Sequence, residues 1–319
     1  MASVERYYCV RYKHKLKTYT TMRKLIYSLG ALALMMVGCT EPITITQVDS
    51  PESEQLPITI SMDLGTRVTD AGYEAGDKVG LYVVNTPHEL QTDGNHVDNM
   101  GFSYDGNGTW TPDTPIYWAD QHTEATFYCY YPYSDNLYDK DSRPISVRGD
   151  QSSLEGYKAS EFLWGTVENV SPTEEAVAIT TKHVMANMAI YLKPGKGFTE
   201  ESLAAANKEV YIHNVMVNAD FSLATGDVSA NGDRVSVAPY AMEDHYRALI
   251  IPQTIATDTE LVTIEILGVT YTFKAGKDIT LKSNKRAKFT ITINKINNGV
   301  NVGVGEWDED DEDYGGIAD

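Results

Sequence analysis

From Pro57 to Leu64 the chain alternates without a break. Ile58, Ile60, Met62 and Leu64 fall on one side, and Thr59, Ser61 and Asp63 on the other. A period of two predicts a half-buried strand. Short runs rich in β-branched and aromatic residues, bounded by Gly, Pro, Asn or Asp, recur along the chain. In the first half they lie at 79–84, 102–104, 109–111, 115–118, 125–131 and 162–165. In the second half they lie at 177–179, 183–192, 210–217, 221–223, 235–237, 247–251, 261–267, 270–273, 279–281 and 288–294. Val300, Val302 and Val304 then alternate with Asn301 and Gly303 into Trp307. Asp105-Gly106-Asn107-Gly108 reads as a hairpin turn, and Asn231-Gly232-Asp233 as another turn. One helix is expected, N-capped by Thr199 with Glu200 and Glu201 in its first turn and running to Asn207. Residues 136–155 read as a long charged loop. Many short strands at close spacing predict an all-β chain of two tandem antiparallel β-sandwiches, at 57–175 and 176–305, with one short helix.

A different pattern precedes this body. Residues 25–37 are an apolar run introduced by Arg23 and Lys24 and closed by Gly38-Cys39. The run is too short to span a bilayer and has the layout of a secretory signal. Its ending, Met36-Val37-Gly38-Cys39, resembles a bacterial lipobox, in which the Cys thiol is diacylated and becomes the new N-terminus. The other reading is an ordinary cleaved signal with an incidental Cys. Residues 1–21 stand upstream of a complete signal, so Met22 is expected to be the true start and 1–38 are left out of the fold. Residues 39–56 read as a polar tether between lipid and body. Two acyl chains hold a protein firmly to a membrane, so the body is expected to be tethered to a membrane outside the cytoplasm.

Charge narrows the partners. The 319-residue chain carries a net charge of -19, and residues 1–38 hold 7 of its 26 basic residues and 1 of its 45 acidic ones. The rest carries -25, so nothing is left over to neutralise phosphates, and nucleic acid is not an expected partner. Six carboxylates follow Trp307 in succession, so 306–319 reads as a solvated acidic tail. Cys129 is the one cysteine beyond Cys39, which excludes a disulfide framework within the body. It sits in Phe127-Tyr128-Cys129-Tyr130-Tyr131, where a buried thiol is expected rather than a nucleophile.

The search for chemistry is thin. H-E-x-x-H, G-x-S-x-G, a P-loop and G-x-G-x-x-G are all absent. His88, His96, His122, His183, His213 and His245 are scattered without metal-ligand spacing. No enzyme activity, metal or cofactor is therefore expected. Arg148-Gly149-Asp150 is the tripeptide integrins recognise, and the 21 tyrosines offer rings that either fill the core or stack on sugars.

Several stretches together resemble the fimbrillin (type V pilin, Mfa-like) proteins of the Bacteroidota. These are the lipobox; Thr66-Arg67-Val68-Thr69 ahead of Gly76-Asp77-Lys78-Val79-Gly80-Leu81-Tyr82; Pro115-Ile116-Tyr117-Trp118; Phe127 to Tyr133; Leu249-Ile250-Ile251-Pro252-Gln253; and the closing strand with Trp307. The resemblance implies a two-sandwich, transthyretin-like fold and a pilus subunit exported as a lipoprotein to the outer membrane and cell surface, held there by its lipid anchor. It also implies cleavage at an Arg, here between Arg67 and Val68, that removes the first strand. A partner's C-terminal strand, here the one bearing Val300, Val302 and Val304, would then fill the place of Ile58, Ile60, Met62 and Leu64. Other fimbrial subunits are the implied partners. Two readings stay beside this one: both segments are permanent edge strands of an uncleaved fold, or the chain is a non-polymerising surface adhesin for glycan or host protein.

Overall fold

The structure, a computed structural model, describes residues 55–64, 72–295 and 316–318. Strands come in chain order as β1 (Ile60–Leu64), β2 (Lys78–Asn85), β3 (Val97–Tyr104), β4 (Trp110–Pro112), β5 (Ala125–Tyr131) and β6 (Arg143–Ser146). After the helix α1 (Leu154–Lys158) come β7 (Leu163–Val170), β8 (Val177–His183) and β9 (Ala186–Pro194), and then the helix α2 (Glu200–Ala205). The remainder is β10 (Lys208–Phe221), β11 (Val228–Val237), β12 (Tyr240–Ala241), β13 (Tyr246–Ile250), β14 (Gln253–Ile255) and β15 (Glu260–Ile266), followed by β16 (Val269–Lys274), β17 (Ile279–Leu281), β18 (Arg286–Ile293) and β19 (Gly316–Ala318).

The all-β class expected from the strand rhythm is what the chain adopts. Seven strands form one sheet in the order β1-β8-β7-β5-β2-β3-β4. A second sheet runs β11-β10-β15-β16, a third β12-β13-β9-β18-β19, and β14 pairs with β17. The described residues belong to one compact unit. One core gathers residues from Ile58 to Ile179, including Val79, Phe127 and Cys129. A second gathers residues from Ala186 to Ile293. A third mixes the two halves, bringing Tyr82, Tyr130 and Phe162 against Phe221, Leu249 and Ile251.

Three features depart from the sequence expectation. The pairing is not wholly antiparallel: β1–β8, β9–β18 and β18–β19 are parallel. Alternation marks which side a residue faces and carries no information on strand direction. The stretch 136–155 is not all loop, since it holds β6 and the start of α1, so two short helices stand among the described residues where one was expected. Ser153 caps α1, its side chain accepting from the Gly156 N–H. β6 shares one edge of β10 with β15, pairing Arg143–Ser146 against Asn218–Phe221. Finally, Asn231-Gly232-Asp233 does not turn the chain. It lies inside β11, where Gly232 at φ +80° sits beside a register shift against β10, the geometry of a bulge. The expected helix starts at its Thr199 cap, where Thr199 and Ser202 form a reciprocal capping box, and ends at Ala205, short of the expected Asn207.

Candidate functional site: the first strand and its seat

The strict alternation of 58–64 puts one row of side chains into the core. Ile58 is 2% exposed and Ile60 4%, while Met62 packs against the same cluster. Burying two isoleucines in this way stabilises by about 1.5–3 kcal/mol each. Thr59 and Asp63 face solvent.

The backbone is held along two stretches. Its start lies antiparallel to the segment after β4: Ile58 N donates to Ile116 O and Trp118 N to Leu56 O, each at 2.9 Å. From Ile60 on, the strand runs parallel to β8 in the register Ile60↔Val177 to Leu64↔Thr181, and Val177 N donates to Thr59 O at 2.9 Å. β1 stands at the end of the sheet order, so β8 is its one lateral neighbour in that sheet. Thr181 adds a side-chain bond to Asp63 O at 3.4 Å and shares a second, at 2.8 Å, with the Tyr73 hydroxyl.

Cys129 lies under the strand, fully buried. Desolvation pushes its thiol well above the usual range, so it is a packing group and not a nucleophile. Of the residues expected to carry function, Ile58, Ile60, Met62 and Leu64 are thus brought together on one edge. Cys39, Arg67, Val68, Val300, Val302 and Val304 lie outside the described residues. Of the expected acidic tail, Gly316–Ala318 is described, and it lies parallel to β18 with Ile291↔Gly316 to Ile293↔Ala318.

The scattered histidines stay apart. His213 bonds Ser236 and Thr263 hydroxyls at 2.7 Å each, His96 bonds Tyr117 O, and His183 faces Glu161. Among the described residues no group of three or more His, Cys, Asp or Glu is placed to hold a metal ion. Arg148-Gly149-Asp150 is exposed but tied down rather than displayed on a loop tip. Gln151 N donates to Ala238 O, Ala238 N donates to Gly149 O, and Asp150 accepts from Ser152. Sequence reasoning missed three buried polar residues that organise this region, Arg143, Gln151 and Arg247. Their one signal is a polar side chain inside or beside a strand pattern, which does not by itself distinguish burial from exposure.

The chain matches the fimbrillin-like family over residues 66–307, a match that begins just beyond β1. It is 27% identical over 212 residues to a Bacteroides uniformis protein that carries the name fimbrium subunit Fim1C, covering 64% of this chain and 67% of that one. In structure it resembles a cell adhesion protein of Bacteroides uniformis, with a TM-score of 0.61 at 20% identity over 77% of this chain and 94% of that one. It also resembles a cell adhesion protein of Bacteroides ovatus, with a TM-score of 0.59 at 16% identity over 75% and 92%. At such identities these two likenesses speak to the fold alone. With most of its length matched, from Thr66 through Trp307, the chain belongs to the fimbrillin-like family.

Proposed function

We propose that this chain is a structural subunit of cell-surface fimbriae, exported as a lipoprotein through Cys39 and assembled by strand exchange. Its two sandwiches are those expected at 57–175 and 176–305 with the boundary moved past β8, because Val177–His183 belongs to the seven-stranded sheet of the first, and its partners are other fimbrial subunits. Cleavage between Arg67 and Val68 releases the first strand, and the strand bearing Val300, Val302 and Val304 of a neighbouring subunit takes its place.

One observation carries the reading. β1 combines an edge position with a side-chain row seated in the core, and it ends at Leu64, three residues before Arg67. Losing it would uncover the apolar seat of Ile58, Ile60 and Met62. It would also leave the β8 backbone from Val177 to Thr181 without a partner on that side. Such an edge is a template for another strand. A Val-x-Val-x-Val strand has the period to refill it.

The test is Arg67→Ala in cells that make fimbriae from this chain. The expected outcome is acylated monomer at the surface and no filaments by electron microscopy. Filaments of normal length in the variant would overturn the proposal. The alternative, a non-polymerising adhesin, draws support from the cleft described next.

A further inference from the structure

A cleft of about 240 Å³ opens between the end of β1, α1 and β13. Its walls are mainly apolar, with a few charged and polar side chains set among them. Arg247 is 8% exposed, its guanidinium lies 4.5 Å from the Tyr157 ring centroid and 5.7 Å from that of Tyr240, and no carboxylate pairs with it among the described residues. Its Nε is buried and meets no acceptor. His183 is 3% exposed. Its Nδ1 lies 2.9 Å from Oε1 of Glu161, yet neither ring nitrogen makes a well-directed hydrogen bond. Arg247 Nε and both His183 ring nitrogens are closed to the cleft itself, so an entering group meets the part of the Arg247 side chain that lines it.

The charges around the cleft restrict what can enter. Arg247 and Lys158 face Glu74, Asp77 and Glu161. Lys158 is engaged with Glu74 at 2.5 Å, and Asp77 accepts from the Tyr131 hydroxyl at 3.1 Å. An anion would meet three carboxylates, and a cation would meet a desolvated guanidinium. A neutral group that both donates and accepts meets neither penalty. Adjacent hydroxyls do this, accepting from the Arg247 guanidinium while donating to Glu161. The Tyr73, Tyr131 and Tyr157 side chains and Leu163 complete the walls with ring and aliphatic surface suited to the C–H face of a sugar. The volume falls below the roughly 300–1,000 Å³ of sites for drug-sized ligands, which limits the occupant to about one ring.

We infer that this cleft binds one neutral sugar residue, either a free monosaccharide or the end of a glycan. The inference does not rest on strand exchange, since every group it uses is in place in the uncleaved chain.

The purified full chain is tested by saturation-transfer NMR against glucose, galactose, mannose, fucose and N-acetylglucosamine, with galacturonate and glucosamine as charged counterparts. The expected result is saturation of at least one neutral sugar and a weaker response from its charged counterpart. A disaccharide of the responding sugar separates the two sources: tighter binding points to a glycan end, and weaker binding to the free monosaccharide. Glu161→Gln keeps the side-chain size and removes the carboxylate, and it is expected to weaken binding about tenfold or more. Leu154, 45% exposed at the mouth, allows a second variant away from the core. Leu154→Trp is expected to block the opening with an unchanged melting temperature. Silence across the neutral sugars, an equal response to the charged ones, or undiminished binding by Leu154→Trp would overturn the inference.

Discussion

The Met62 sulfur lies 4.0 Å from Sγ of Cys129. Met62 is on β1 and Cys129 on β5, and the sheet order places β8 and β7 between them. Strands lie about 4.8 Å apart in a sheet, so the two would be about 14 Å apart if the sheet were flat. The contact exists because the sheet curls, bringing its first strand back over its centre. The antiparallel bonds between Leu56–Ile58 and Ile116–Trp118 close the same curl from the other end.

Cys129 therefore reports on the first strand. In the uncleaved chain it is expected to resist alkylation, because it is fully buried and desolvation favours its neutral form. After cleavage at Arg67 and loss of the first strand, it is expected to react with iodoacetamide at least tenfold faster until another strand fills the seat. Peptide mass mapping of the label checks this. Equal, slow labelling of chains with and without the strand would count against Met62 as its cover.

Ile60 and Thr59 are neighbours with opposite roles. Ile60→Ala is expected to destabilise the uncleaved chain by about 2–5 kcal/mol, as a large-to-small change in a packed core. Thr59→Ala, on the exposed side, is expected to change stability by less than about 0.5 kcal/mol. Urea denaturation reads both as shifts of midpoint at constant slope. Equal effects would mean that the first strand is not seated by its apolar side.

Gln151 ties the two halves together. Its Nε2 donates to Leu249 O at 2.8 Å and to Arg148 O at 3.0 Å, and its Oε1 accepts from Leu249 N at 2.9 Å. Gln151→Leu would strand the Leu249 N–H and C=O in the shared core. At about 1–3 kcal/mol per unsatisfied group, a loss of about 2–6 kcal/mol is expected. Thermal unfolding of the variant checks this, and a melting temperature within a degree or two of the parent would refute it.

Alkaline pH should unfold the chain cooperatively. Burial pushes the Tyr82 and Tyr157 hydroxyls up to about 12 from 10.0, and raises Tyr73 and Tyr131 as well. These groups are favoured neutral in the fold, so their contribution is full below about pH 10 and is lost as pH rises through about 12. The melting temperature is expected to fall across that window, with tyrosinate absorbance rising together with unfolding. Titration of these tyrosines near pH 10 with the fold intact would contradict their burial.

Much of the strand content was legible because most strands have one buried and one exposed side, so residues such as Ile58 and Ile60 alternate with polar ones. The hairpin at Asp105–Thr109 and the Thr199 cap carry local signals and fell where expected. Less legible were features fixed by distant partners. β6 is only four residues long, contains Pro144, and becomes a strand because β10 offers it an edge. α1 is a single turn set by Ser153 and by Tyr157 dropping into the core. The parallel register of β1 on β8 joins segments more than a hundred residues apart, and the cleft around Arg247 depends on how the curled sheet meets the second half. No run of residues within either half encodes that meeting.

The most direct measurement is mass spectrometry of the chain's N-terminus in sheared filaments and in washed cells. The account predicts that chains in filaments begin at Val68 and lack Ile58–Leu64, while unassembled surface chains carry an acylated Cys39. Filaments built from chains that still carry Cys39 and the first strand would contradict it.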